Sequence, residues 1–242
     1  MNKIFKLFVF VLAISLGATL VSCSSDGKDT PAEYIALATA IPGTGDAGFL
    51  LKVDKNTTLR PVNVTKCPFD KETRVFVRYY EAENQTTSPY KEVNLLVMSD
   101  MLTKDLAENK GADNAKEYGS DALAIYDDWS TVAEDGYMTI HFCAFFGIGG
   151  ITHSINLVDV SDAEHPNKFR LYHNAHNDIS LNTTDGYAAF RIFPRSECDK
   201  DATIDLEWDD LSGAVRQVKF QHNPASPAQK NAETPEKIGN LK

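Results

Sequence analysis

Residues 203–208 read TIDLEW, a strict alternation of apolar and polar side chains. Successive side chains of a β-strand point to opposite faces of the sheet, so a period of two indicates a half-buried strand. Ile204, Leu206 and Trp208 are therefore predicted to face a core, and the two acidic residues between them are predicted to face water. This stretch favours an all-β fold.

Similar apolar stretches recur on both sides of this strand. Turn-forming sequences separate them, such as AEDG at 133–136 and NTTDG at 182–186. Seven short strands bounded by turns predict an antiparallel β-sandwich over residues 121–222. The other six predicted strands are 123–126, 137–145, 151–160, 168–173, 187–193 and 215–220.

The N-terminal half contains a second series of short strands and almost no helical pattern. Residues 74–80 (RVFVRYY) alternate most clearly. Five such strands predict a small OB-like barrel, closed or half-closed, over residues 33–103. The other four predicted strands are 33–40, 48–54, 59–62 and 93–98.

Two segments lack strand patterns. Residues 104–120 are polar, contain Gly111 and have no apolar face at helical spacing, which predicts a short helix followed by a linker. Residues 223–242 contain three prolines and few large apolar side chains, which predicts a disordered tail. The complete prediction is therefore an N-terminal OB-like barrel followed by a C-terminal sandwich.

The first residues follow the plan of a bacterial lipoprotein signal peptide. Two lysines precede the mostly apolar residues 7–20, and LVSC at 20–23 resembles a lipoprotein cleavage site. We expect residues 1–22 to be removed, Cys23 to be lipidated, and residues 23–32 to form a tether. Several acyl chains would hold the protein on a membrane of the cell envelope, and we expect the outer membrane. An ordinary secretory signal or a short membrane anchor is the alternative.

The chain is acidic, with a formal net charge of −10. Nucleic-acid binding requires a basic surface, so this class of partner is excluded. The charge is compatible with cationic partners and with neutral ligands such as glycans.

Three cysteines remain once Cys23 is acylated. Their odd number allows at most one disulfide, and Cys143 with Cys198 is the preferred pair because both lie in the same half of the chain. The alternative is that these two residues and Cys67 are buried thiols.

The remaining candidate site is a group of possible ligands, His173, His176 and Asp178. Two histidines three residues apart in a strand point to opposite faces, so joint binding would need a turn between them. His141 and His153 lie on neighbouring predicted strands and could pair across a hairpin. A structural role is favoured for all of them, since zinc needs three or four converging ligands. We therefore expect no metal, no cofactor and no catalytic residue.

Several stretches match a known family, and MLTKDL at 101–106, between the two predicted domains, is the most specific. Together with Cys23, they make the mature chain apart from its tail similar to the NigD-like lipoproteins of Bacteroidetes. Tyr172 departs from the pattern, since that family more often has Arg there. The other matching stretches are 48–51, 58–59, 74–79, 137–142, 153–158, 169–175 and 187–193.

The resemblance implies an N-terminal OB-type barrel and a C-terminal β-sandwich. It supplies no catalytic residue, and the family name comes from a bacteriocin-associated gene cluster in which an immunity role was suspected. We expect a lipid-anchored, non-enzymatic binding or interaction module of the cell envelope with an unknown protein or glycan partner. The alternatives are a bacteriocin immunity protein and an accessory glycan-binding surface lipoprotein.

Overall fold

The computed structural model describes residues 31–43, 48–147, 149–178, 182–224 and 229–230. The predicted signal peptide, Cys23 and nearly all of the predicted tether lie outside these residues. Within them, no helix is long and apolar enough to cross a membrane.

The N-terminal half is a closed barrel of five strands. The order β1-β2-β3-β5-β4 is closed by pairing of β4 with β1, and every neighbouring pair is antiparallel except β3 with β5. This is the predicted small barrel. Its strands are β1 (Glu33–Pro42), β2 (Phe49–Lys52), β3 (Thr58–Pro61), β4 (Thr73–Glu81) and β5 (Lys91–Asp100).

Alternation along the strands forms the barrel core. In β4, Val75, Val77 and Tyr79 are buried in one apolar cluster with Leu51 of β2 and Val93 of β5. The intervening side chains of β4 point away from this core: Arg74 and Phe76 are buried against the sandwich, whereas Tyr80 is only partly buried.

The C-terminal half is a sandwich of two sheets. One has the order β6-β12-β9-β7, with β8 also on β9, and the other has the order β10-β11-β13-β14. The predicted all-β fold is confirmed, although β6 with β12 and β11 with β13 pair in parallel. The strands are β6 (Leu102–Asp105), β7 (Ala124–Ile125), β8 (Val132–Glu134), β9 (Tyr137–Phe145), β10 (Ser154–Asp159), β11 (Lys168–Asn174), β12 (Thr183–Arg191), β13 (Thr203–Asp209) and β14 (Val215–Gln221).

The alternation at 203–208 forms β13 and largely behaves as predicted. Ile204, Leu206 and Trp208 are buried in the sandwich core. Asp205 differs, because it was expected to face water but is only 8% exposed. It accepts a hydrogen bond from Gln217 of β14 at 2.6 Å, which offsets part of the cost of burying the carboxylate.

The segment expected to be a linker, residues 104–120, belongs to the sandwich. It starts within β6, which pairs with β12, and Ala107 forms a bridge with Val158. The helix α1 (Asn114–Tyr118) follows a 3₁₀ turn. The segment is polar because it crosses the sandwich surface, whereas its backbone hydrogen bonds remain within the domain.

The first connection from the barrel to the sandwich is a single residue, Met101, which lies between β5 and β6. Its N–H donates to the carbonyl of Arg74 at 3.1 Å. Its side chain belongs to a third buried cluster, with Leu37 and Phe76 from the barrel and Tyr137 from the sandwich. The joint is therefore packed on both sides.

A buried ion pair crosses the same joint. Arg74 Nη2 donates to Glu134 Oε1 at 2.7 Å, and the two side chains are 0% and 4% exposed. Arg74 Nη1 donates to Thr39 Oγ1 at 3.1 Å. Burial raises the pKa of Glu134, and the attraction of Arg74 only partly opposes that rise. Nearer the surface, Glu72 of the barrel accepts hydrogen bonds from Arg195 of the sandwich.

The tail expected to be disordered, residues 223–242, is ordered at the positions the structure describes. Asn223 is buried, and its Oδ1 accepts a hydrogen bond from the N–H of Asp135 at 2.9 Å. A two-residue strand, β15 (Gln229–Lys230), pairs with β1. Apart from Pro224, the rest of the tail lies outside the described residues.

Candidate functional site

The three predicted ligand residues lie at the end of β11 and in the turn that follows. His173 is in the strand, whereas His176 and Asn177 have positive φ angles of 51° and 62°. Asn, Asp and His are the non-glycine residues that occupy this left-handed region most readily. The turn reverses the chain, so that Asp178 comes back toward His153.

Asp178, His153 and His173 form a continuous hydrogen-bonded chain. Asp178 Oδ2 lies 3.1 Å from His153 Nε2, and His153 Nδ1 lies 2.9 Å from His173 Nε2. His153 and His173 are 0% and 2% exposed. With His153 neutral, its Nε2–H donates to Asp178, so its Nδ1 must accept from the Nε2–H of His173.

The surroundings of this chain favour neutral His173 and charged Asp178. Burial, assisted by His153, lowers the pKa of His173 to about 4. The N–H of Gly147, which donates to Asp178 at 2.7 Å, lowers the pKa of that carboxyl, and His153 lowers it further. The ring of Phe146 stacks on His153 at 4.0 Å between centroids. These hydrogen bonds therefore hold two loops in contact in the interior of the domain.

His176 does not take part in these hydrogen bonds. Its Nε2 lies 2.9 Å from Ser154 Oγ on the surface, so His173, His176 and Asp178 do not converge as one ligand set. In the part of the chain that the structure describes, no three His, Cys, Asp or Glu side chains are placed to hold a metal ion. His141 and His153 do not pair either, because His141 belongs to β9 and His153 precedes β10 of the other sheet.

A second site lies on the outer face of β9, where sequence reasoning had not placed one. We define the Tyr126 patch as Tyr126, Asp128, His141, Asp185 and Tyr187. The His141 ring lies between the two tyrosine rings, with centroid distances of 4.3 Å to Tyr126 and 4.2 Å to Tyr187. Alternation along β9 turns His141 outward, and Tyr187 is its direct neighbour on β12. Tyr126 is 38% exposed, so the stack opens to solvent.

Two carboxylates border this aromatic stack. Asp128 Oδ2 lies 2.6 Å from His141 Nδ1, and Asp185 Oδ1 accepts a hydrogen bond from the Tyr126 hydroxyl at 2.9 Å. Burial alone would raise the pKa of Asp128, but hydrogen bonds from Ser130 and His141 lower it overall. The hydrogen bond to Asp185 raises the pKa of Tyr126. The patch therefore presents anionic oxygens beside an exposed aromatic ring.

The predicted bridge between Cys143 and Cys198 is not formed. Cys143 lies toward the end of β9, whereas Cys198 lies beside Gly136, just before β9 begins. A strand rises about 3.3 Å per residue, which places the two sites roughly 20 Å apart. A disulfide needs Cα atoms within about 7 Å. Both residues are buried free thiols, and Cys67 is also free.

Comparison with known proteins gives a consistent result. The sequence profile of the NigD-like C-terminal beta sandwich domain matches residues 105–222. A solved structure of a candidate toxin-related protein from Parabacteroides distasonis is 27% identical, covers 79% of this chain and 93% of its own, and has a TM-score of 0.64. No curated protein matches the sequence.

Two more distant structures share the fold. A NigD-like immunity protein from Bacteroides caccae is 16% identical over 78% of this chain and 97% of its own, with a TM-score of 0.52. A candidate lipoprotein from Bacteroides fragilis is 11% identical over 80% of this chain and 100% of its own, with a TM-score of 0.55. The matched residues 105–222 run from the end of β6 to just beyond β14. Residues 105–222 of this chain therefore form a NigD-like C-terminal β-sandwich domain.

Proposed function

We propose that this NigD-like protein is a lipid-anchored, non-enzymatic binding module of the cell envelope. The Tyr126 patch is the observation that carries the proposal. Within the described residues, the ion pairs of Asp128 and Asp185 are with His141 alone, so no Lys or Arg neutralises these carboxylates. Interfaces are enriched in aromatic residues, and charge complementarity guides partner choice. The patch therefore suits a partner that presents cationic or hydrogen-bond-donating groups.

The histidine environments support binding rather than catalysis. A nucleophile needs a base at hydrogen-bonding distance and a third group that orients the base. Ser154 contacts His176, but no described carboxylate contacts that histidine. The Nδ1 of His141 contacts the carboxylate of Asp128, but no described hydroxyl or thiol is hydrogen-bonded to its Nε2. Turnover of a substrate by the purified protein, abolished by a point substitution, would contradict this part of the proposal.

Site-specific photo-crosslinking in intact cells tests the patch. A photoreactive amino acid at position 126 should give a discrete crosslinked product, and Asp185→Asn should reduce that product because it removes one charge without changing side-chain shape. The same amino acid at position 90, on the barrel, is the matched control. Equal products at positions 126 and 90, or no effect of Asp185→Asn, would refute a role for the patch.

Lipid anchoring is supported by the sequence at residues 20–23 and by the similarity to a candidate lipoprotein. Cys23→Ser should abolish incorporation of a clickable palmitate analogue and release the protein from the membrane fraction. Retention of the label in this variant would disprove acylation at Cys23. Protease treatment of intact cells would then distinguish a surface location on the outer membrane from an inward-facing one.

A role as a bacteriocin immunity protein is the second candidate, favoured by the shared fold with a NigD-like immunity protein. Deleting the gene should then sensitise the cells to a toxin encoded nearby. Unchanged sensitivity would rule this role out. The accessory glycan-binding alternative is favoured by a different observation, a cavity on the barrel that is lined by both polar and apolar residues.

A further inference from the structure

The outer wall of the barrel contains a cavity of about 420 Å³, within the range of about 300–1,000 Å³ that is typical of ligand pockets. Tyr80 of β4 and Asn94 of β5 are direct cross-strand neighbours and point outward, whereas the adjacent Tyr79 is buried in the core. The cavity is lined by Val62, Tyr80, Ala82, Glu83, Asn84 and Asn94.

Two carboxamide side chains hold the walls of this cavity in place. Asn63 follows Val62 and forms two hydrogen bonds with the backbone of Leu95, both at 2.9 Å. Gln85 donates to the carbonyls of Ala82 and Glu92 at 3.0 and 2.8 Å, and accepts from the N–H of Glu92 at 2.9 Å. The segments on either side of β5 are therefore fixed before any ligand arrives, which lowers the entropic cost of binding.

The polar side chains that line the cavity have unused hydrogen-bonding capacity. Tyr80, Glu83, Asn84 and Asn94 form no side-chain hydrogen bond or ion pair with any other residue that the structure describes. By contrast, the nearby cation Lys91 is already paired with Glu81. The lining thus offers two amides, one phenol and one carboxylate, together with an aromatic ring.

We infer that this cavity binds a neutral sugar unit of a glycan chain. Sugar hydroxyls donate to the carboxylate and amide oxygens and accept from the amide nitrogens, and the apolar face of a sugar ring packs on Tyr80. An anionic ligand has no lining cation to pair with. The inference deepens the glycan-binding alternative and is independent of the Tyr126 patch, so either can fail while the other stands.

Calorimetric titration of the full-length protein in detergent micelles tests this inference. The probes are neutral gluco-, manno- and xylo-configured oligosaccharides at millimolar concentration, with spermidine as a cationic probe. We expect at least one oligosaccharide to bind, and Tyr80→Ala to weaken its binding by about tenfold or more. Tyr90→Ala, which removes another half-buried tyrosine of the barrel outside the cavity, should leave binding unchanged.

The variants distinguish the possible outcomes. Glu83→Gln retains an acceptor and removes the charge, so it should have little effect on a neutral sugar. Binding of spermidine alone, lost in Glu83→Gln, would overturn the assignment in favour of a cationic ligand. No binding of any oligosaccharide, or equal losses in Tyr80→Ala and Tyr90→Ala at unchanged folding stability, would overturn it completely.

Discussion

Replacing His173 with Gln should make the folding stability of this protein less sensitive to acid. His173 is buried, and its Nε2 contacts His153 Nδ1 at 2.9 Å. The amide nitrogen of Gln can donate a similar hydrogen bond, but the side chain does not titrate. The substitution therefore removes a proton-binding group while retaining much of the local contact.

The size of the effect follows from the difference in pKa between the folded and unfolded states. Burial lowers the pKa of His173 from 6.5 to about 4, so below pH 6.5 the unfolded chain binds a proton that the folded chain excludes. The free energy of unfolding is therefore unaffected by this group above pH 6.5, and it decreases as the pH falls from 6.5 to about 4. Each pKa unit corresponds to about 1.4 kcal/mol, so the full loss is about 3 kcal/mol, of which about 2 kcal/mol falls between pH 7 and pH 5.

Urea unfolding of the wild type and His173→Gln between pH 7 and pH 5 measures this difference directly. The wild type should lose about 2 kcal/mol more than the variant over this interval. Contributions of the carboxylates cancel in the comparison. His165→Gln is the control, because that side chain lies on an exposed turn beside Asp162. The same pH dependence in the wild type and in His173→Gln would refute this role of His173.

Two further stability predictions concern the joint and a turn. Arg74→Met should lower the free energy of unfolding by about 3–5 kcal/mol at neutral pH, because it leaves Glu134 buried without its partner. Urea unfolding should show a smaller loss near pH 5, since burial raises the pKa of Glu134 and favours its protonation. An equal loss at both pH values would contradict this explanation. Gly119→Ala should lower the thermal unfolding midpoint clearly, because Gly119 has φ +88° and a Cβ there would lie 2.4 Å from the carbonyl oxygen of His173. Gly111→Ala, where a Cβ meets nothing within 4 Å, should have a smaller effect, and equal shifts would contradict the steric argument.

The sequence predicted the strands well where one face is buried. Alternation in β4 and β13 places their apolar side chains in the two cores. It did not reveal β6, because no residue of Leu102–Asp105 is fully buried and the four residues show no alternation of apolar and polar side chains. The burial of Asp205 was not predicted. Alternation indicates on which face of the sheet a side chain lies, whereas the burial of Asp205 depends on its contact with Gln217 of the neighbouring strand.

The candidate sites were harder to predict because they depend on contacts between distant parts of the chain. His173 and Asp178 were identified, but His153, which links them, lies about twenty residues earlier, and sequence spacing does not give the register between neighbouring strands. The Tyr126 patch similarly requires β7, β9 and β12 to be neighbours. The cysteine pairing failed for the same reason, since proximity along the chain did not report that the two thiols lie at opposite ends of β9.

The single-residue joint at Met101 constrains how such a protein can be recombined. A hybrid that takes its barrel from one relative and its sandwich from another must also match positions 74 and 134, or it inherits a buried charge without a partner. Exchange of the two halves as independent modules is therefore disfavoured, even though each has its own core. Crossovers placed within residues 100–102 should yield stable hybrids only when the barrel supplies Arg74 and the sandwich supplies Glu134.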